Sequence, residues 1–87
     1  MTDVSIFEGL TAVLRDTFDN EDLIATAELT ARDVEGWDSL GNVRLFVEIE
    51  RVFSVRFSAT EISSLENVGE VADLIQKRLA AGQSPDH

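Results

Sequence analysis

Three times in this chain a serine or asparagine stands three residues before a glutamate, at the opening of an apolar run: Ser5 and Glu8, Ser58 and Glu61, Asn67 and Glu70. The hydroxyl or amide oxygen accepts from a free backbone N–H, and the glutamate returns the bond, so each pair marks a helix start. The runs that follow keep helical spacing. Ile6, Leu10, Val13, Leu14 and Phe18, with Phe7 beside them, predict a first helix over Ile6–Phe18. Ala59–Leu65 reads as a short helix. Val68, Val71, Ala72, Ile75 and Leu79 predict a last helix with these residues turned inward, and Lys77 and Arg78 complement the dipole at its end. No alternation of period two is long enough for a sheet, and Val55-Arg56-Phe57 is too short and isolated to support one.

The central stretch, Ser39–Phe53, carries Leu40, Val43, Leu45, Phe46, Val47, Ile49, Val52 and Phe53. These cover more than one stripe and predict the most buried helix, contacted on two sides. Phe46, Val47, Ile62 and Leu74 read as core, or some of them as the lining of a cleft between helices. Between the first and central helices, residues 19–38 have weak periodicity and form an unusually long connector, a kind of segment that is often functional. Leu29, Val34 and Trp37 are expected to pin it to the core. The expected fold is all-α: a small four-helix bundle with three longer helices, one short helix and a long loop between helices one and two. Residues 1–80 form the domain, and 81–87, with Gly82 and Pro85, a flexible C-terminal tail.

Charge then narrows the function. Seventeen Asp and Glu against seven Lys and Arg give a formal charge of −10. A nucleic-acid binder needs a basic face, and an anionic membrane repels such a chain. No apolar run approaches membrane-span length and no signal peptide precedes the first helix, so a cytoplasmic monomer is expected. With no cysteine, disulfides, thiolate metal sites and thiol nucleophiles are excluded together. The single histidine, His87, lies in the tail and builds no metal cluster. Calcium-loop registers begun at Asp16, Asp19 or Asp22 fail at their third position, and no carboxylates have acid–base spacing.

What remains is Gly36-Trp37-Asp38-Ser39-Leu40, where the long loop meets the central helix. Asp38 and Ser39 are both helix caps by type. The other reading makes Ser39 Oγ the site of a phosphate ester, set against the positive end of the helix dipole. Gly41, inside the helix, costs about 1 kcal/mol relative to Ala. Close approach by a prosthetic group or tight packing of the loop accounts for it equally. Trp37 reads as an anchor of the loop, or else as a wall beside a bound group.

Asp38-Ser39-Leu40 resembles the attachment motif of acyl carrier proteins. The similarity continues through Val43, Leu45, Glu48, Ile49, Glu50, Phe53 and Phe57 to Leu65, Asn67-Val68, Asp73 and Ile75, covering about residues 6–79. The resemblance implies a non-catalytic carrier. Ser39 would receive 4′-phosphopantetheine from coenzyme A through a phosphopantetheinyl transferase, and the arm's thiol would hold acyl groups for acyl-loading and acyl-processing enzymes (synthases, transferases, ligases). Asp38 and Leu40 would serve the transferase. Trp37, Gly41, Val43, Arg44 and Phe57 would belong to the partner-docking face. An aminoacyl or peptidyl carrier would use the same serine; an acidic helical adaptor would use Ser39 only as a cap.

One departure stands out. Many fatty-acid carriers have an acidic central helix, whereas here Glu48 and Glu50 face Arg44, Arg51 and Arg56 between Ser39 and Phe57, a net +1. From Asp16 to Asp38 eight acidic residues stand against Arg32 alone, a net −7. The Gly-Trp-Asp-Ser-Leu context resembles stand-alone carriers of specialised metabolism, of polyketide or glyceryl type.

Overall fold

The computed structural model describes residues 4–81. Helix α1 spans Val4–Thr17, α2 Ser39–Phe53, α3 Ala59–Ser64 and α4 Val68–Ala80, with a single 3-10 turn at Ala31–Asp33. The described residues contain no strand, in keeping with the all-α, three-long-one-short arrangement expected. Met1–Asp3 and residues 82–87, which include His87 and nearly all of the expected tail, lie outside the described residues.

The core forms where the apolar stripes of three helices meet. Helix α1 gives Ile6, Leu10, Val13 and Leu14, α2 gives Leu45, Phe46 and Ile49, and α4 gives Val68, Val71, Ala72 and Ile75. Each large side chain removed from water there contributes about 1.5–3 kcal/mol. Helix α1 packs on both α2 and α4, while α3 buries no residue fully and lays half-buried Ile62 on the core.

The connector is ordered without being periodic. Val34 is buried, and Leu29 and Trp37 pack on the core as expected, but Leu23 and Ala25 are buried as well. Backbone groups hold them: the Ala25 N–H donates to Thr11 Oγ1 at 2.9 Å, and Arg15 Nε donates to the Leu23 carbonyl at 2.8 Å. At its middle the connector serves α4. The first two helical N–H groups, of Val68 and Gly69, donate to the carbonyls of Leu29 and Ala27 at 2.9 and 3.0 Å. A Cβ at Gly69 would fall 2.9 Å from the Ala27 carbonyl oxygen, so only glycine lets the connector lie so close.

The helix starts differ in part from expectation. Ser58 and Glu61 form the reciprocal capping box at α3. At α4, Asn67 Oδ1 accepts from the Glu70 N–H at 2.8 Å, but the Glu70 carboxylate takes the N–H of Glu66, one residue before the cap. At α1 the helix already runs at Val4, so Ser5 lies within its first turn and not at its cap. Two burial expectations are corrected. Leu79, in the last turn of α4, is 44% exposed. Helix α2 is packed on one side only: Leu40, Val43, Val47 and Val52 face outward, with no element among the described residues to cover them.

Candidate functional site

Helix α2 begins at Ser39, and its cap is Asp38. Asp38 is extended, its Oδ1 accepts from the Gly41 N–H at 2.8 Å, and its carbonyl accepts from the Asn42 N–H at 2.8 Å. Ser39 is therefore the first helical residue, exposed, and relieved of capping. Reading Ser39 as the cap is corrected: both side chains can accept, but the extended residue before the helix is the one placed to do so.

Loop packing explains the glycines. Gly36 turns the chain with φ of 93°, a conformation that glycine adopts without a Cβ penalty. Its carbonyl oxygen then lies where a Cβ of Gly41 would stand, with Phe18 Cε1 at 3.0 Å from the same point. Gly41 is buried beneath the loop, which removes it from the expected docking face.

Trp37 anchors the loop on three contacts. Its ring stacks on Phe18 with centroids 5.7 Å apart and planes at 28°. Its Nε1–H donates to Asn42 Oδ1 at 2.9 Å, and its backbone N–H donates to the Val34 carbonyl at 3.2 Å. It also lines an open depression of about 360 Å³ beside Ser39, whose other walls include Asn42 and, from the α3 side, Ile62 and Leu65. Asn42 and Leu65 were not expected at the site, whereas Ile62 reads from sequence as core or cleft lining. A polar residue three positions after the serine, on its helical face, was the available signal for Asn42.

The outer face of α2 carries Leu40, Val43 and Val47, exposed by 68, 59 and 57%. Their spacing sets them in one stripe. Val47, expected in the core, belongs here. Arg44 stands beside the stripe and is also exposed, with Nη2 donating to the Thr17 carbonyl at 3.4 Å, where a cation meets the negative end of α1. A second depression, of about 350 Å³, opens between Asp16 and Thr17 of α1 and Val43, Arg44, Val47 and Glu48 of α2. Glu48 pairs with Arg51 at 2.9 Å, and the hydrogen bond holds its carboxyl below the ordinary value. The Glu48–Arg51 pair cancels its own charges, and Arg44 stands opposite Asp16 across the depression, so the stripe faces outward as an apolar surface with balanced charges at its edge.

Phe57 is not part of it. The ring lies half-buried, edge-on to Phe46 at 5.6 Å, with the Arg78 guanidinium 5.8 Å above its centre. Its N–H donates to Glu50 at 2.9 Å. This contact set ties the α2–α3 connection to α4 and gives Phe57 a packing role there. Arg78 also pairs with Glu61 and donates to the Arg56 carbonyl at 3.3 Å. Glu61 is held below its ordinary value first by the Ser58 backbone N–H and then by Arg78.

The described residues contain no cluster of three His, Asp or Glu able to hold a metal. They do fit a phosphate ester on Ser39. The hydroxyl is exposed, the helix start directs N–H groups toward it, and a partly apolar depression adjoins it.

No family model matches the chain. Among curated relatives, the acyl carrier protein of Amoebophilus asiaticus (strain 5a2) is 39% identical over 62 residues, covering 66% of this chain and 76% of that protein. The acyl carrier protein of Coprothermobacter proteolyticus is 32% identical over 74 residues, 85% of this chain and 90% of its own. In structure the chain is similar to the holo acyl carrier protein from Geobacter metallireducens, solved in solution by NMR. The TM-score is 0.84 at 35% identity, and 91% of each chain is covered.

Proposed function

The chain belongs to the acyl carrier protein family, and on that premise we propose that Ser39 bears its 4′-phosphopantetheine arm, on which acyl groups ride as thioesters. The observation that carries this reading is the division of labour at the start of α2: Asp38 makes the cap, and Ser39 is exposed. Modifying a capping serine would cost the helix a hydrogen bond, whereas modifying this one costs none. A phosphodiester on its Oγ is favoured by the α2 dipole and by the N–H groups of the first turn.

The arm supplies a thiol, the group that a chain without cysteine lacks. Asp38 holds the serine at the mouth of the helix, and exposed Leu40 offers an apolar contact to the transferase. Trp37, Ile62 and Leu65 give the arm or its cargo an apolar wall to lie against. In this reading the chain is a monomeric cytoplasmic domain over residues 1–80 that catalyses nothing itself and presents cargo to synthases, transferases and ligases. These partners dock on Leu40, Val43 and Val47, with Arg44 at the edge of the contact.

Intact mass tests the reading. Incubation with coenzyme A and a broad-specificity phosphopantetheinyl transferase is expected to add one phosphopantetheine, and Ser39→Ala to abolish the addition. A wild-type chain left unmodified by several transferases would overturn it.

A further inference from the structure

Asn42 sits one turn along α2 from Ser39, and both line the same depression. Its amide is oriented by a neighbour with no choice in the matter. An indole N–H only donates, so the Asn42 atom 2.9 Å from Trp37 Nε1 is the carbonyl oxygen Oδ1. The Nδ2 group, with two N–H donors, is the other branch of the amide and turns away from Trp37. Trp37 is itself immobilised on Phe18 and by its backbone bond to Val34.

A phosphopantetheine arm is rich in what such an amide seeks: phosphodiester oxygens and two amide carbonyls, all acceptors. Resting on the reading that Ser39 bears the arm, we infer that Asn42 is a positioning residue for it. The Nδ2 donors bind an oxygen of the arm and hold its root against the depression, and Trp37 sets the amide the right way round. Helix α2 thus offers the arm a side-chain donor as well as its dipole. The arm leaves the protein along the wall formed by Trp37 and α3.

The test uses the ¹⁵N-labelled chain, converted to the holo form by a transferase and coenzyme A, with intact mass recorded alongside the spectrum. The Asn42 side-chain amide is expected to shift on conversion and to exchange with water about fivefold more slowly, as a net hydrogen bond of about 1 kcal/mol requires. The indole N–H of Trp37, the sole tryptophan, should keep its apo position. Asn42→Asp retains an oxygen for Trp37 and lacks the donors; it is expected to gain the mass while the resonances of its arm sharpen toward those of free coenzyme A. Trp37→Phe adds no charge, keeps a ring on Phe18 and frees the amide to rotate, so its Asn42 protection should fall below wild type. A mass gain with an unmoved Asn42 amide, or with wild-type arm resonances in Asn42→Asp, would overturn the inference alone. Absence of any mass gain would overturn the carrier reading and the inference with it.

Discussion

The starts of α2 and α4 are built from the same parts and serve opposite ends. Each has an Asx cap whose side-chain oxygen accepts from the third helical N–H at 2.8 Å, Asp38 to Gly41 and Asn67 to Glu70. Each has a glycine in its first turn, because a carbonyl of the long connector, from Gly36 or Ala27, presses on it. At α4 the connector also takes the N–H groups of the first two residues, and Val68 is buried. At α2 no carbonyl among the described residues accepts from Ser39 or Leu40, and both side chains are exposed. A helix start whose orphan donors are consumed is structure, and one whose donors stay open is a place for an anion. The connector makes the difference: its middle takes the first donors of α4, while its end packs on Gly41 and leaves those of Ser39 and Leu40 open.

Substitutions can break this comparison at several strengths. Ser39→Ala should eliminate phosphopantetheine addition while shifting stability in urea by no more than about 0.5 kcal/mol, since no contact of the fold is lost. Gly41→Ala and Gly69→Ala should each destabilise by about 1–3 kcal/mol, read from chemical denaturation, because the new methyl displaces a carbonyl held by the connector. Asp38→Ala and Asn67→Ala should each lose about 0.5–2 kcal/mol of cap energy. Only Asp38→Ala should also slow the transferase, which separates the open junction from the closed one.

At α3 the capping contact can be titrated. Folding holds the Glu61 carboxyl below its ordinary value, so its contribution is present at neutral pH and is lost as pH falls through the lowered value. Glu61→Gln should therefore flatten stability against pH in the acid range and leave no new pH dependence near neutrality. The smallest effect is expected from Arg44→Glu, which should change the salt dependence of partner binding with little change in melting. An identical salt response would remove Arg44 from the docking face.

The bounds of α2 were legible because Asp-Ser and a strong apolar period coincide there, and the burial of Val68, Val71, Ala72 and Ile75 followed from spacing alone. The outward face of α2 was not legible from spacing, since exposed Leu40, Val43 and Val47 have the same period as a core stripe; only the family resemblance sets Leu40 and Val43 apart, and Val47 reads as core. Nor was the order in the connector. Its ties run from Thr11 and Arg15 of α1, and from the first amides of α4, to backbone groups that carry no residue identity. The choice of cap between Asp38 and Ser39 needed the backbone angle of Asp38, and the pairing of Trp37 with Asn42 needed the loop folded back on the helix.

The central claim is that the exposed Ser39 hydroxyl, and no other, takes the arm. Ser58 is the sharpest internal control, an exposed serine at a helix start whose hydroxyl is spent on the Glu61 N–H at 3.1 Å. Fragmentation mass spectrometry of the transferase-treated chain tests the claim most directly. The added phosphopantetheine is predicted on the peptide containing Ser39 and absent from that containing Ser58. Its appearance on Ser58 or any other residue, or on none, would contradict the account.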